Sequence, residues 1–410
     1  LSRGLGDVYK RQKRRGMNIP LLIGGATTSR MHTAVKIAPE YDHAVIHVLD
    51  ASRSVTVAGS LLSKEQRTDF LSSVTDEYTA LRADFSARRG VKSMHPFDVA
   101  QSKAAMIFTP NYLPPAPSIR GVKQFSEVPL EIIAPYIDWQ PFFITWEMHG
   151  KFPALLKDPV IGKEASKLYD DARSLLDKII QEKWLKAHGV VGFWPARKTG
   201  PDSVTVSGAQ GETKLEFLRQ QSVKADGQPN LSLADFIHPQ QTDHLGAFSV
   251  TIEGIEPHIR RFQENHDDYN KIMLQALADR LAEAFAEMLH EKTRKELWGY
   301  AADEKLSNDQ LIAESYAGIR PAPGYPACPD HTEKIKLFDL LGGEAATHIK
   351  LTESLAMYPA SSVCGWYFSH PDSRYFGLGK IGEDQLKDYA FRKGMDLEEM
   401  RRWLRPVLDA

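Results

Sequence analysis

Cysteine is nearly absent: the 410-residue sequence holds two, Cys328 and Cys364. Two thiols cannot build a disulfide framework or a four-thiolate zinc site, and a reducing, cytoplasmic setting is expected. Excess charge is lacking as well. With 51 Lys+Arg against 53 Asp+Glu the formal net charge is −2, so the basic field that phosphate neutralisation needs is missing and no nucleic-acid partner is expected. No run approaches the ~18 uninterrupted apolar residues of a membrane span. The most apolar stretch, 141–156, is broken by Glu147, His149 and Lys151. The basic start, LSRGLGDVYKRQKRRG, lacks the apolar centre of a secretory signal; residues 1–16 read as a solvated helix face or an artificial lead-in. A Gly-x-Ser-x-Gly elbow, a His-Glu-x-x-His pair and a phosphate-loop lysine are also missing. No catalytic residue and no metal site is therefore nominated.

What is present describes an ordinary globular chain, 42% apolar and 25% charged, long enough for one large domain or two to three ordinary ones. Residues 19–23 form a short apolar run ending at Gly24-Gly25. Thr27, Thr28 and Ser29 offer caps for a helix through Thr33, Ala34, Ile37 and Ala38, stopping at Pro39. Residues 43–49 read as a second strand, followed by a cap at 50–52 and a helix through Val55, Ala58 and Leu61. This alternation is that of a parallel α/β sheet, but two strands fall short of the five or six that a doubly wound domain needs, so the unit reads as truncated. Gly24-Gly25 serves equally a tight turn or a close approach to a ligand.

A charged helical pattern over 69–89 leads into a proline-rich linker over 89–117. Beyond it, helices are expected over 165–183 and, longest of all, 267–298, where Ile272, Leu274, Leu277, Leu281, Phe285, Met288 and Leu289 recur at three- and four-residue spacing. Strands are expected at 190–194, 203–206, 215–218 and 248–252. Because helices and strands do not alternate, the expectation is an α+β domain with a largely antiparallel, twisted sheet and long helices. On the long helix, Glu283, Glu287 and Glu291 form an i, i+4, i+8 row that reads as a solvated face.

Three segments are candidates for chemistry. IRPAPGYPACP, from Ile319 to Pro329, has four prolines in nine residues, which excludes a helix or a strand interior. It reads as a stiff loop with its carbonyls facing outward, either a connector or a device for presenting oxygens to an amine. Gly324 permits close approach, and Arg320 is suited to holding a carboxylate. Asp330 to Glu333 looks like a capping box for the next helix. GWYFSHPDSRYF, from Gly365 to Phe376, reads as strand, turn and strand, its aromatics serving a core or stacking on a planar ring. Asp138, within YIDW, is a cap or a ligand holder.

The segments IDWQPFFITWEMHGKFP, HDDYNKIMLQALADRLAEAFAEMLHEKTRKELWGY, GIRPAPGYPACPDHTEK and GWYFSHPDSRYF resemble the C-terminal activation domain of the cobalamin-dependent methionine synthase family. PLLIGGATTSRMHTAVKIAP and VLDASRSV resemble the last part of the cobalamin-binding domain before it. The resemblance implies a Rossmann-like, truncated cobalamin portion over 17–88 and an activation domain over 89–410. It also implies a methyltransferase that moves a methyl group from 5-methyltetrahydrofolate to homocysteine through cobalamin. The activation domain would bind S-adenosylmethionine and support reductive methylation of cob(II)alamin, with flavodoxin or a flavoprotein reductase as electron donor. Carried over by residue, the implied S-adenosylmethionine contacts are Asp138, Arg320, Ala322, Gly324, Tyr325, Tyr375 and Phe376, with Glu314 as a further pocket candidate. The implied cobalamin contacts are Ala51, Gly24 and Gly25. The family's Asp-x-His-x-x-Gly motif, whose histidine ligates cobalt, is absent, and His32, His43 and His47 do not stand in such a motif. Zinc and folate sites would belong to other domains of the same enzyme. A stand-alone S-adenosylmethionine-dependent methyltransferase and a non-catalytic flavoprotein-docking module are the competing readings.

Overall fold

A computed structural model of the chain describes residues 19–24, 29–41, 43–48, 51–63, 65–88, 94–209 and 211–409, and the chain divides into two compact units just before Met94. In the first unit, β1 (Leu21–Gly24) pairs in parallel with β2 (Val45–Val48), Leu21 lying opposite Val45. The crossover that parallel pairing requires starts with a helical turn, Arg30–His32, whose cap is Ser29: its Oγ accepts the His32 N–H at 3.1 Å. The turn does not continue as the regular helix expected. Thr33–Ile37 widens into a π-turn and Ala38–Glu40 tightens into a 3-10 turn that begins around Pro39. Proline has no N–H to give the preceding turn, so the α-pattern ends there. Ile23, Ile37, Tyr41 and Val45 form a small core. Helices Ala51–Leu62 and Arg67–Arg88 follow, and Tyr78 Oη accepts the His47 N–H of β2 at 2.8 Å.

The second unit is built on a six-stranded sheet. Its strands are β3 (Gly121–Phe125), β4 (Lys186–Gly200), β5 (Ser203–Gly208), β6 (Gly211–Glu216), β7 (Asp243–Glu253) and, after the two-residue strands β8 (Lys350–Leu351) and β9 (Met357–Tyr358), β10 (Ser362–Tyr367). The order is β10-β7-β4-β5-β6, with β3 also on β4, and every pairing is antiparallel. The hairpin expected from 203–206 and 215–218 is β5–β6, with Ser203 opposite Glu216.

Successive strand residues point to opposite faces, and here both faces are covered. Val191 and Phe193 of β4 with Phe248, Val250 and Ile252 of β7 enter one core, whereas Val190, Trp194 and Ala196 with Leu245 and Ala247 enter the other. Helices Gly162–Gln181 and Asp268–Lys292 cover the first face. Helix Glu333–Leu341 covers the second through Leu337, Phe338 and Leu341. Two-sided burial explains why β4 and β7 read as apolar runs rather than alternating ones. Leu274, Leu277, Leu281, Phe285 and Leu289 of the long helix are fully buried. Phe285 lies so close to β4 that a Cβ on Gly189 would come within 2.8 Å of its ring.

Two expectations fail here. Only the first half of 365–376 is a strand, because the outer edge of β10 is already taken. Ile319 and Phe368 exchange both backbone hydrogen bonds at 3.0 Å, and Trp366 N–H donates to Pro321 O at 2.9 Å. Trp366, Tyr367 and Phe368 are fully buried, so their aromatics are core. Asp330 and Glu333 do not form a capping box either; the residue before helix Glu333–Leu341 is Thr332. Asp330 Oδ1 and Oδ2 accept the Thr332 N–H and Oγ–H, and Lys393, on helix Glu383–Lys393, donates to Asp330 at 2.8 Å and Glu333 at 2.5 Å. All three charged groups are buried. A buried cation opposite both carboxylates satisfies them better than a cap does.

Lys393→Met keeps the volume but leaves Asp330 and Glu333 without their cation. Removing one partner of a buried ion pair typically costs about 3–5 kcal/mol, and a urea titration of the variant is expected to show a loss of that order.

Candidate functional site

Helix Asp268–Lys292 starts at Asp267, whose Oδ1 accepts the Asn270 N–H at 3.0 Å. Its apolar face is spent on the sheet. At three- and four-residue spacing along another face stand Arg280, Glu283, Glu287 and Glu291, with Arg294 on the π-turn Thr293–Leu297 that follows. The Glu row is therefore not a solvated face. Glu283 and Glu287 line a cleft of about 300 Å³, Glu287 is 7% exposed, and Glu291 accepts a hydrogen bond from Tyr136 Oη at 2.5 Å.

Asp138, Arg320 and Glu314 open into that same cleft, together with Arg280, Leu311 and Ile312. Asp138 Oδ1 accepts the Gln140 N–H at 2.9 Å just ahead of helix Gln140–Thr145, whose cap position is Trp139; it braces the turn into the helix and lines the cleft at once. Arg320 Nη1 donates to Glu287 Oε2 at 2.6 Å and lies 3.5 Å from His290 Nδ1. Its Nε and Nη2 have no hydrogen-bond partner among the described residues. Burial raises Glu287 above its ordinary carboxylate value, an effect that Arg320 and Arg294 oppose. Partial desolvation at the cleft raises Glu314 as well, although the residue is exposed, again against Arg320. His290, fully buried beside two guanidiniums, is driven well below the usual imidazole value and is neutral. It stacks on Tyr367 at 5.2 Å and meets the Tyr316 ring edge-on at 4.8 Å. Arg294 is held by Glu304 through contacts of 2.8–3.0 Å and lies 4.3 Å over Tyr316.

Tyr375 enters from behind the loop. Its Oη accepts the Arg320 N–H at 3.0 Å and lies 3.3 Å from Tyr316 Oη. Phe376 packs beside Phe236, 6.3 Å away, on the second core. Ala322, Gly324 and Tyr325 do not line the 300 Å³ cleft. They line a smaller cavity of about 80 Å³ with His331, Lys334 and Cys364. Gly324 has φ of +97°, and a Cβ there would fall 2.3 Å from the His331 ring. The loop's carbonyls are not all turned outward. Pro321, Ala322, Tyr325 and Pro326 each accept a backbone N–H, from Trp366, Tyr325, Cys328 and Leu378. A chain with few donors of its own becomes stiff by lending its acceptors to neighbours. Of the positions in the first unit, Gly24 ends β1 and Ala51 begins helix Ala51–Leu62; Gly25 lies outside the described residues.

Glu283, Glu287, Arg280, His290 and Arg294 were not among the site residues read from sequence, although the charged row on the apolar helix was visible. A larger cavity of about 760 Å³ opens between β4, the β5–β6 hairpin and helix Glu333–Leu341. Arg120 and Asp339 are its only charged lining residues among those described. The smaller cleft gathers the buried and half-buried charges, so it is the candidate site.

The second unit is thus an α+β domain with a charged cleft between a long helix and a proline-braced loop. Residues 129–394 match the family described as "Vitamin B12 dependent methionine synthase, activation domain", and the chain belongs to that family. Among solved structures it is similar to the MetH reactivation domain bound to AdoHcy, at 47% identity and a TM-score of 0.74, over 77% of this chain and 99% of that one.

Tyr375→Phe removes the acceptor of the partly buried Arg320 N–H. Such a loss costs about 1–3 kcal/mol, and the variant is expected to unfold at correspondingly lower denaturant with an unchanged m-value.

Proposed function

We propose that the second unit binds S-adenosylmethionine in the cleft of Asp138, Glu314 and Arg320, and that it serves the reductive methylation of cob(II)alamin in a methionine synthase. One observation carries this reading: Arg320 lines the cleft, Glu287 occupies its Nη1, and among the described residues no hydrogen bond engages its Nε–Nη2 edge. That edge matches a carboxylate by two parallel hydrogen bonds. The ligand's remaining charges are an ammonium and a sulfonium, and the cleft offers Asp138, Glu283 and Glu314 to them. Tyr375 braces the loop through the Arg320 N–H, Phe376 follows it on the second core, and Ala322, Gly324 and Tyr325 form the loop's turn. The bound AdoHcy of the similar domain supports the same ligand class.

The wider reading follows the family. Residues 17–88 would be the last part of a cobalamin-binding domain of Rossmann-like form, with Gly24, Gly25 and Ala51 toward the corrin; residues 89–410 would be the activation domain, with 89–117 as its linker. The parallel β1–β2 pair supports the first part. The chain holds no Asp-x-His-x-x-Gly motif, so none of its residues fits the role of lower ligand to cobalt. What this chain's residues do is bind and orient the methyl donor. An electron donor such as flavodoxin or a flavoprotein reductase, and the other domains of the enzyme, would complete the reaction.

Calorimetry with S-adenosylmethionine tests the reading. Each charge-assisted hydrogen bond contributes about 1.5–3 kcal/mol, so Arg320→Ala is expected to weaken binding roughly 10- to 100-fold or more. Equal affinities for wild type and variant would overturn it.

Because Glu314 is raised by partial desolvation, it gains its proton earlier on acidification than an ordinary glutamate. Affinity for the cationic ligand is therefore expected to fall as pH descends into the upper carboxylate range, and Glu314→Gln to flatten that fall. A wild-type profile matching that of Glu314→Gln would remove Glu314 from the site.

A further inference from the structure

On the face of the sheet opposite the long helix, three metal-capable side chains converge far from the cleft. His188 of β4 pairs across the ladder with Thr251 of β7, and Glu253 stands two residues further along β7. Residues so placed share one face and are diagonal neighbours. His348 reaches them from the turn after the short helix Gly343–Thr347. Glu253 Oε1 lies 3.2 Å from His348 Nδ1, and Glu253 Oε2 lies 3.7 Å from His188 Nε2. One donor atom from each of the three falls within 4.8 Å of the others.

Four donors about 2.0–2.2 Å from a tetrahedral ion stand roughly 3.3–3.5 Å from one another. The two contacts, one to each carboxylate oxygen of Glu253, are close to that separation, and the donor set as a whole spans up to 4.8 Å, so an ion would draw it together. The side chains grade from 9% exposed at His188 through 30% at Glu253 to 41% at His348, so the group has a buried floor and an open mouth. His348 also holds φ of +58°, the left-handed region that favours glycine or asparagine after a helix. Its N–H donates to Glu344 O at 2.9 Å, which fixes the ring's point of attachment above the sheet. The nearby cation Lys186 is engaged by Glu127. The two imidazoles lie parallel, 4.2 Å apart; joint coordination of an ion would require the more exposed His348 ring to turn out of this stack.

We infer that His188, Glu253 and His348 form a binding site for a borderline divalent transition metal such as Zn2+, with water completing the coordination. The sequence nominated no metal site, and the three residues, spread over 188–348, form no motif. The donor set of two imidazoles and one carboxylate is the chemistry that suits zinc, nickel or cobalt rather than calcium or magnesium.

The test titrates the full, chelator-treated chain with Zn2+ by calorimetry, beside His348→Ala and the double variant His348→Ala/Glu253→Gln. His348 and Glu253 are open enough to change without emptying a core, and circular dichroism checks the fold. Wild type is expected to bind roughly one equivalent that His348→Ala weakens about tenfold or more and the double variant abolishes. Co2+ is expected to give the intense visible bands of a four-coordinate ion in wild type only. Binding of equal stoichiometry and affinity in all three proteins would place the ion on other histidines and overturn the assignment. So would a wild type that binds none. Dependence on Glu253 without dependence on His348 would refute the three-ligand site.

Discussion

The ion pair between Glu287 and Arg320 is the constraint around which the second unit is arranged. It joins the long helix to the proline-braced loop across a buried boundary, at 2.6 Å. Neither charge is tolerable there alone, since an unpaired buried ion forfeits several kcal/mol of hydration. The pair therefore fixes the distance between helix and loop, and neighbours are recruited to keep it: Tyr375 accepts the Arg320 N–H, His290 stays neutral beside the guanidinium, and Glu304 engages Arg294. Arg294 is thereby held for the most part away from Glu287, from which its Nη1 stands 3.9 Å. Glu287 is left chiefly to Arg320, and Arg320 keeps one edge for the cleft.

The loop can carry a charged residue at a fixed place because it is held along its length and at its far end. Ile319 and Pro321 lengthen the sheet beside β10. Past Pro329, Asp330 is clamped with Glu333 by Lys393. Proline contributes by limiting the backbone states that must be given up on folding, and hydrogen bonds to its carbonyls supply the direction. The loop owes its position to the sheet edge and to a buried lysine on the helix Glu383–Lys393, both remote in sequence from Arg320.

Much of the frame was legible before any coordinates. Apolar spacing located the helix that became Asp268–Lys292, and runs rich in β-branched residues located β4, β7 and the β5–β6 hairpin, because periodicity reports burial directly. Arg320, Asp138 and Glu314 were named and do share one cleft. Ala322, Gly324 and Tyr325 were named with them but face a neighbouring, smaller cavity. What misled was chemistry that depends on a distant partner. Glu287 on a Glu row looks like any solvated carboxylate until Arg320, 33 residues away, lies against it. Asp330 and Glu333 have cap spacing, yet Lys393 outcompetes the helix terminus for them. The strand expected after Tyr367 fails because Ile319 has already filled its edge.

On the reading proposed above, these facts together explain how a chain of net charge −2 would select a ligand of mixed charge. Long-range fields average out, so discrimination must come from short contacts in a site of low dielectric, where each charge is felt strongly. The cleft supplies that asymmetry within one small volume. Arg280 and Arg320 stand among Asp138, Glu283, Glu287 and Glu314, and Glu287 is already committed to Arg320. The four carboxylates outnumber the two guanidiniums, which favours a molecule carrying more than one positive group and a single carboxylate. On the reading proposed above, that is the charge pattern of S-adenosylmethionine. A demethylated product, having lost the sulfonium charge, would meet the same arginine but fewer satisfied carboxylates. Preference for the charged methyl donor over its neutral-sulfur product would then arise from the surplus of acid in the cleft, not from any contact with the transferred methyl group.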